Sequence, residues 1–286
     1  MSTRPTILLT GAGGQLGTEL ARSLASHGDV IAAPRDRLDL ADADAIVAAV
    51  RAARPDLIVN AGAYTAVDLA EKEVAAAQAV NARAPAILAE EARRASAVLI
   101  HYSTDYVFDG SRSAPYDEDA PASPLNVYGR TKHEGELAIA SSGAHALVLR
   151  TSWVYGLHGR NFLVTIRRLA AERPELRIVA DQVGVPNWTR TLAEATARVV
   201  GSGLTAVAER SGLYHLSSTG EASWYDFARA IVGDVASPRV LPIATAEYPL
   251  PARRPAYGVL GTAKFERSFG FALPDWRRAL ADCLGR

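Results

Sequence analysis

The feature that most constrains the fold of this chain is a glycine-rich loop set directly between a short apolar run and an amphipathic helical pattern. Residues 6–10 (Thr-Ile-Leu-Leu-Thr) predict a buried strand, and residues 11–17 (Gly-Ala-Gly-Gly-Gln-Leu-Gly) follow at once. In such a unit Gly11 permits a tight turn, Gly14 lets a pyrophosphate approach the backbone, and Gly17 lets helix and strand pack closely. The phosphates then lie at the positive end of the helix. The loop therefore predicts a dinucleotide-binding site.

Apolar runs and helical patterns continue to alternate over the first half of the chain. Further strands are expected at residues 29–33, 56–60, 98–103 and 146–151. This alternation predicts an α/β fold with a Rossmann-type, doubly wound parallel sheet, in which ligands bind beyond the carboxyl ends of the strands.

The alternation loosens beyond residue 152, which predicts a smaller mixed α/β lobe for the substrate. We expect a cofactor-binding domain over residues 1–152, which the chain re-enters around residues 186–212, and a mainly substrate-binding lobe over residues 153–286.

Composition narrows the class of ligand and the compartment. The formal net charge of the 286-residue chain is zero, so the basic field of a nucleic-acid or membrane-surface binder is missing. The single cysteine, Cys283, forms no disulfide framework or zinc cluster and is expected to be a buried apolar residue. No signal peptide or membrane span is expected at residues 1–10 or beyond. These features predict a cytoplasmic protein with a small-molecule substrate, no nucleic acid and no membrane partner.

The segment after the second strand bears on the choice of cofactor. Dinucleotide sites that select NAD often place an acidic residue there, whereas an arginine meets a 2′-phosphate. The sequence at 34–37 is Pro-Arg-Asp-Arg, so Arg35 favours NADPH, with NADH as the alternative and a solvated loop charge as the other role for Arg35. Asp39, next to Leu40, is expected to hydrogen-bond the adenine amino group, to cap a helix over residues 41–54, or both.

Two further strand ends carry residues suited to a cofactor site. Ala61, Gly62 and Ala63 are small enough for the backbone to pass close to a flat ring. Thr104 follows the strand over 98–103, where a hydroxyl can donate a hydrogen bond to a substrate oxygen as hydride arrives. Turn and cap chemistry is the alternative role for this threonine.

A tyrosine and a lysine four residues apart provide the candidate proton donor. Tyr128 and Lys132 lie on one face if residues 126–136 are helical. A nearby ammonium favours the phenolate, so the spacing predicts a lowered pKa for Tyr128 and general acid–base chemistry at a carbonyl or carbinol carbon. A chance pair on a solvated helix face is the alternative.

Two further segments fit a nucleotide sugar. Trp153 is suited either to stacking on a sugar or to packing. Residues 249–255 (Pro-Leu-Pro-Ala-Arg-Arg-Pro) are rigid and basic, so Arg254 is suited to holding a diphosphate or to pairing with a surface charge.

Taken together, the glycine loop, Thr104, Tyr128 and Lys132 resemble the extended short-chain dehydrogenase/reductase family, and within it the dTDP-4-dehydrorhamnose reductases. The matching segments are 11–17, 60–71, 103–110, 124–136, 150–156 with 161–162, 181–186, 214–215 and 248–255. The family's related dehydratases place an acid where this chain has Tyr106, so reduction without elimination is favoured.

The resemblance implies a reaction and roles for named residues. NADPH would deliver hydride to C4 of dTDP-4-dehydro-L-rhamnose, in the last step of dTDP-L-rhamnose synthesis. Tyr128 would donate the proton, Lys132 would hold the nicotinamide ribose and lower the phenol's pKa, and Thr104 would polarise the carbonyl. The cofactor would contact Gly11, Gly13, Gly14, Gln15, Leu16, Arg35, Asp39, Leu40, Ala61, Gly62, Ala63, Tyr128 and Lys132. The substrate would contact Thr104, Asp105, Val107, Phe108, Trp153, Asn161 and Arg254.

Some positions depart from the family pattern and leave alternatives open. Asn187, Gly258 and Gly261 replace residues that are usual near the nucleotide, which affects the nucleotide contacts of the smaller lobe but not the reduction. The sequence also leaves open a reductase for another dTDP-4-keto-6-deoxy sugar. A non-catalytic NADP-binding regulatory subunit is the other alternative, against which the intact Tyr128, Lys132 and Thr104 count. Some relatives dimerise through Mg²⁺ held by carboxylates. Glu19 offers one carboxylate and Arg190 offers none, so no metal ligand set is predicted, Mg²⁺ stays open, and a homodimer is compatible with the sequence but not indicated.

Overall fold

A computed structural model describes residues 4–233 and 237–286. The strands are β1 (Thr6–Thr10), β2 (Asp29–Ala33), β3 (Leu57–Asn60), β4 (Val98–Thr104), β5 (Ala146–Thr151), β6 (Val154–Tyr155), β7 (Glu175–Val179), β8 (Val183–Gly184), β9 (Asn187–Trp188), β10 (Gly212–His215), β11 (Ala222–Ser223) and β12 (Arg239–Ile243). The helices are α1 (Gln15–Leu24), α2 (Ala43–Ala53), α3 (Val67–Ala70), α4 (Val74–Gln78), α5 (Ala84–Ala95), α6 (Val127–Ser141), α7 (Phe162–Glu172), α8 (Thr189–Gly201), α9 (Leu204–Glu209), α10 (Trp224–Val232), α11 (Ala263–Phe269) and α12 (Trp276–Leu284).

Six parallel strands form the central sheet in the order β10-β5-β4-β3-β1-β2. Successive side chains point to opposite faces, so Leu147 and Leu149 of β5 join the core beneath α1 and α8, whereas Val148 joins the core beneath α2, α5 and α6. Helices therefore cover both faces, and the predicted doubly wound parallel sheet is confirmed.

A further core lies outside this sheet and includes Phe227, Trp276 and Cys283. It is built from α7, α10 and α12 with the two-stranded pairs β6–β9 and β7–β12. Between its parts the chain runs back to the central sheet, where α8 packs against α1 and β10 pairs with β5. The predicted burial of Cys283 is confirmed, with 6% of its surface exposed.

Several helix starts follow directly from capping side chains. Asn161 accepts a hydrogen bond from the Val164 N–H, and Ser223 forms a capping box with Asp226. Asp275 caps α12 by accepting a hydrogen bond from the Arg277 N–H at 2.8 Å. The three helices therefore begin at Phe162, Trp224 and Trp276.

The start of α2 differs from the prediction. Asp42, not Asp39, is the N-cap, because its side chain accepts from the Ala45 N–H at 3.0 Å. Asp39 instead closes the preceding turn by accepting from the Ala41 N–H at 2.9 Å. The helix therefore begins at Ala43 and ends at Ala53.

Within residues 4–233 and 237–286, no helix is both long and apolar enough to cross a membrane. Nor do three or more His, Cys, Asp or Glu side chains come together there as a metal site would require.

Candidate active site

The helix that carries Tyr128 and Lys132 is fixed at its first turn. Asn126 accepts from the Gly129 N–H at 2.8 Å, and Glu71 accepts from the Val127 N–H at 2.8 Å. A side chain at Gly129 would lie 2.1 Å from the Tyr106 carbonyl oxygen, so only glycine lets α6 approach this closely. The contact places the start of α6 against the segment that follows β4.

Tyr128 and Thr104 meet at this contact. Burial raises the pKa of the Tyr128 phenol to about 12, while a hydrogen bond with the Thr104 hydroxyl opposes the rise. The direction is opposite to the one expected from the spacing of Tyr128 and Lys132, because burial is the larger effect. The phenol is consequently protonated at neutral pH, as a proton donor must be.

Asp105 adds a carboxyl group beside Thr104. Its side chain is 3% exposed and accepts a hydrogen bond from the Thr104 hydroxyl at 3.1 Å. Burial raises the pKa of this carboxyl to about 7, against the lowering effect of the Thr104 hydrogen bond. Perturbed carboxyls of this kind are concentrated at functional sites.

Lys132 lies beneath the site with 2% of its surface exposed. Its Nζ donates to the Tyr102 carbonyl oxygen at 2.6 Å and lies 3.1 Å from His101 Nε2. His101 Nδ1 in turn lies 2.9 Å from Asn60 Nδ2, and Asn60 Oδ1 accepts from the Thr10 hydroxyl at 2.7 Å. A buried polar chain therefore crosses three strands and ends on the lysine.

Sequence reasoning missed His101 and Asn60. The signal was present, because a histidine inside the apolar run 98–103 and an asparagine at the end of β3 are polar residues in buried strands. Their pairing depends on the register of β3 and β4, in which Asn60 and His101 are direct partners. Sequence reasoning also missed Glu136, which lies one turn beyond Lys132. The Glu136 carboxylate forms a buried ion pair with Arg150 at 2.6 Å.

The glycine loop has the geometry expected of a cofactor cradle. Gly11 adopts a φ of 67°, and a side chain there would lie 2.5 Å from the Gly62 backbone nitrogen. A side chain at Gly17 would lie 2.1 Å from the Gly11 carbonyl oxygen. Among the residues that the structure describes, no side chain caps the first turn of α1, so its N–H groups are available to an anion.

The other predicted cofactor residues occupy different environments. Leu16 and Leu40 have their side chains in the hydrophobic cores, so only their backbones are available to a ligand. Arg35 has 88% of its side chain exposed and lies 3.8 Å from Asp39, in a surface ion pair. Gly13, Gly14, Ala61 and Ala63 lie along the same edge of the sheet, at the ends of β1 and β3.

Trp153 lies at the end of an aromatic stack. Its ring is parallel to that of Trp224, with centroids 3.5 Å apart, and Trp224 lies 4.6 Å from Phe162. The backbone of Trp153 has a φ of 41°, which is unusual for a large side chain. Gly184 makes room for the indole, since a side chain there would lie 2.6 Å from it.

Asn161 connects the glycine loop with α7. Its Nδ2 donates to Gln15 Oε1 at 2.7 Å and to the Gly156 carbonyl oxygen at 2.9 Å, while its Oδ1 caps the helix. The side chain predicted to lie beside the hexose therefore also joins the second lobe to Gln15.

Arg254 forms a bidentate ion pair. Two of its nitrogens donate to Asp68, each at 2.6 Å, and the pair ties residues 252–254 to α3. Asn126 strengthens this connection by donating to the Arg253 carbonyl oxygen at 2.7 Å. Arg254 is thus anchored at the edge of the site by a carboxylate.

Two predicted substrate contacts are corrected. Val107 and Phe108 are both 0% exposed and pack in a small core, where Phe108 stacks on Tyr116 at 4.1 Å. Their side chains do not line the site, because the turn after Thr104 directs them inward.

Glu19, the carboxylate considered for a shared Mg²⁺, is engaged by two arginines. Arg22 lies 3.2 Å from it and Arg190 lies 3.5 Å from it. Both charges compete with a cation for this carboxylate.

Comparison with known proteins gives a consistent result over nearly the whole chain. The family described as the RmlD substrate binding domain matches residues 5–286. A dTDP-4-dehydrorhamnose reductase of Burkholderia thailandensis is 48% identical, over 97% of each chain. A Streptomyces antibioticus protein named as a probable dTDP-4,6-dihydroxy-2-methyloxan-3-one 4-ketoreductase is 44% identical, over 96% of this chain and 93% of its own. The crystal structure of a dTDP-4-dehydrorhamnose reductase from Bacillus anthracis in complex with NADP has a TM-score of 0.92 and 34% identity, covering 99% of each chain.

Proposed function

The chain belongs to the dTDP-4-dehydrorhamnose reductase family, and we propose that it uses NADPH to reduce the C4 keto group of dTDP-4-dehydro-L-rhamnose, giving dTDP-L-rhamnose. The roles of the residues are assigned mainly from one observation: the Tyr128 phenol and the Thr104 hydroxyl are hydrogen-bonded at the carboxyl end of β4. Lys132 is buried one turn further along α6. This is the edge of the sheet to which the glycine loop also belongs.

NADPH fits the loop at residues 11–17. The glycines leave no side chain between the backbone and a pyrophosphate, and the uncapped first turn of α1 supplies N–H donors. When bound, NADPH supplies the hydride that the reduction requires. Arg35 is exposed and weakly held, so it is free to meet the 2′-phosphate.

The chain's own residues handle the proton. As hydride reaches the carbonyl carbon, the keto oxygen gains negative charge, and Tyr128 gives it the phenolic proton to form the hydroxyl. Thr104 stabilises the same oxygen by turning its single hydrogen from Asp105 towards it. Lys132 holds the nicotinamide ribose from below the site.

The separation between the cores of the central sheet and the core around Phe227 supports a division of binding between two parts of the chain. We assign cofactor binding to residues 1–152 with the returning α8 and β10. Substrate binding is assigned mainly to residues 153–286, where Trp153, Asn161 and Arg254 border the site.

The experiment that tests the function is oxidation of NADPH by the purified protein with dTDP-4-dehydro-L-rhamnose, followed by identification of the product. Formation of dTDP-L-rhamnose is expected, and NADH run in parallel ranks the cofactors. Absence of oxidation although NADPH binds would contradict the assignment of the substrate.

A second candidate function is reduction of a different dTDP-linked keto sugar. It is favoured by the 44% identity to the Streptomyces antibioticus protein, whose name gives another substrate. Both keto sugars should be compared at equal concentration. A higher kcat/KM for the second sugar would replace the first assignment without changing the roles of Tyr128 and Thr104.

Arg35→Ala is expected to weaken NADPH binding by about 10- to 100-fold, which is what loss of a hydrogen bond to a charged phosphate costs. NADH lacks this phosphate, so its dissociation constant should stay the same. Arg37→Ala is the matched control, because Arg37 is an exposed arginine of the same loop. Equal loss for NADPH and NADH would place Arg35 outside the cofactor site.

Trp153→Ala is expected to raise KM for the nucleotide sugar by about 10-fold and to leave the dissociation constant of NADPH unchanged, because it removes an aromatic contact from the substrate side only. Gly184→Ala should act in the same direction by displacing the indole. Steady-state kinetics and NADPH titration check both variants. An unaltered KM in both would assign Trp153 to packing alone.

A further inference from the structure

The buried chain that ends on Lys132 determines which atoms carry its hydrogens. Asn60 Oδ1 accepts from the Gly62 backbone N–H at 3.2 Å as well as from the Thr10 hydroxyl. A backbone N–H can only donate, so this side of the Asn60 amide is its oxygen, and its NH₂ group faces His101.

The orientation of Asn60 fixes the tautomer of His101. Because Asn60 Nδ2 donates to His101 Nδ1, that nitrogen must be the acceptor of the ring. His101 is 0% exposed, and burial is the main cause that holds its pKa well below 6.5, so the ring is neutral. A neutral ring with an accepting Nδ1 carries its hydrogen on Nε2.

That hydrogen points at Lys132, since Nε2 and Nζ are 3.1 Å apart. If Lys132 is an ammonium, two donors face each other, because an ammonium has no lone pair to accept the His101 hydrogen. An uncharged amine has a lone pair that accepts it. The amine still donates to the Tyr102 carbonyl oxygen at 2.6 Å in either form.

We propose that His101 is a positioning residue for Lys132: held in the Nε2–H tautomer by Asn60, it directs this hydrogen at the lysine nitrogen and favours the uncharged amine. The inference rests on the proposed function only in that Lys132 is taken to contact the cofactor.

The surroundings of Lys132 affect its pKa in opposite directions. Glu136 of α6 favours the ammonium, and it is itself paired with Arg150 of β5. Burial is the larger influence and lowers the pKa of Lys132 to about 8. With His101 opposing Glu136, Lys132 is poised to gain or lose a proton close to neutral pH, which suits a group that must assist a proton donor repeatedly.

The test compares two histidine variants. In His101→Gln the amide oxygen can face Lys132 and accept from the ammonium, which should favour the charged form. His215→Gln is the matched control, because His215 is also 0% exposed and lies on the same sheet, but its Nδ1 contacts the Gly261 carbonyl oxygen rather than the lysine.

The readout is the pH dependence of NADPH binding, measured without sugar. An ammonium binds the ribose better than an amine, so affinity should fall as the pH rises through the pKa of Lys132. We expect His101→Gln to move this midpoint upward by about one pH unit. His215→Gln should leave it in place. No shift in His101→Gln, or an equal shift in both variants, would overturn the proposal.

Nitrogen-15 NMR of the unmodified protein provides a second test that does not depend on the folding of a variant. Long-range proton–nitrogen correlations should show His101 as the Nε2–H tautomer, and an Nδ1–H tautomer would overturn the proposal. Neither test uses the sugar, so a failure to reduce dTDP-4-dehydro-L-rhamnose would contradict the proposed function and leave this inference standing.

Discussion

Tyr128→Phe is expected to lower kcat for the NADPH-dependent reduction by about 10²- to 10⁴-fold, the range over which a positioned proton donor contributes. The phenylalanine ring keeps the shape of the side chain and removes only the proton that the keto oxygen must receive. The dissociation constant of NADPH should rise by less than about 10-fold, because the variant removes one hydrogen-bonding group next to the cofactor and leaves the glycine loop and Lys132 intact. Single-turnover kinetics with the nucleotide sugar measure the first quantity, and cofactor titration measures the second.

The matched control is Tyr102→Phe. Tyr102 is a buried tyrosine of β4 whose hydroxyl contacts Thr196 on the opposite face of the sheet, and its carbonyl oxygen, which receives Lys132, is unaffected by the change. Its kcat should equal that of the unmodified protein. If Tyr128→Phe also retained full kcat, the catalytic assignment would be wrong and a non-catalytic NADP-binding role would gain support.

The parts of this fold that could be predicted are those specified by short stretches of sequence. The glycine loop follows β1 without a gap, and its turn at Gly11 requires the positive φ that glycine adopts freely. The starts of α7, α10 and α12 each depend on one capping side chain. Where two aspartates three residues apart competed to cap α2, local sequence did not decide between Asp39 and Asp42.

The site was less predictable because its contacts join distant residues. The spacing of Tyr128 and Lys132 places them on one helix face, but the direction of the lysine amine depends on His101, 31 residues away, and on the strand register that pairs it with Asn60. Arg254 meets Asp68 across 186 residues, so no local pattern could show that its charge is already paired. The raised pKa of Tyr128 likewise follows from tertiary burial, which spacing alone does not reveal.

Glu136→Gln is expected to lower the free energy of unfolding at neutral pH by about 3–5 kcal/mol, the usual cost of removing one partner from a buried ion pair. Arg150 donates to both carboxylate oxygens of Glu136, at 2.8 and 2.6 Å, and the side chains are 3% and 6% exposed. Glutamine keeps the size but cannot neutralise the arginine. Urea denaturation of the two proteins measures the difference.

This difference should depend on pH with a defined sign. Burial alone would raise the pKa of the Glu136 carboxyl, but hydrogen bonds from Arg150 and His133 and the charge of Arg150 outweigh it and lower the pKa from 4.5 to about 2. Because the pKa in the folded state is the lower one, the stabilisation is fully present above pH 4.5 and is lost as the pH falls towards 2. The two proteins should therefore converge in stability at acid pH.

A surface pair supplies the control for the same substitution. Glu172 lies 2.8 Å from Arg168 with both side chains at least half exposed, so Glu172→Gln should cost less than about 1 kcal/mol at any pH. An equal loss in the two variants would mean that burial of the Glu136 pair contributes nothing.

Glu136 also affects the pKa of Lys132, which lies one turn before it on α6. Removing the carboxylate takes away the charge that favours the ammonium and leaves Arg150 unpaired, so Glu136→Gln should move the pH midpoint of NADPH binding downward. His101→Gln should move this midpoint upward, because the substitution replaces the hydrogen-bond donor that faces Lys132 Nζ with an acceptor. The helix and the sheet thus act on Lys132 with opposite signs, and shifts in the same direction would contradict the roles given to both residues.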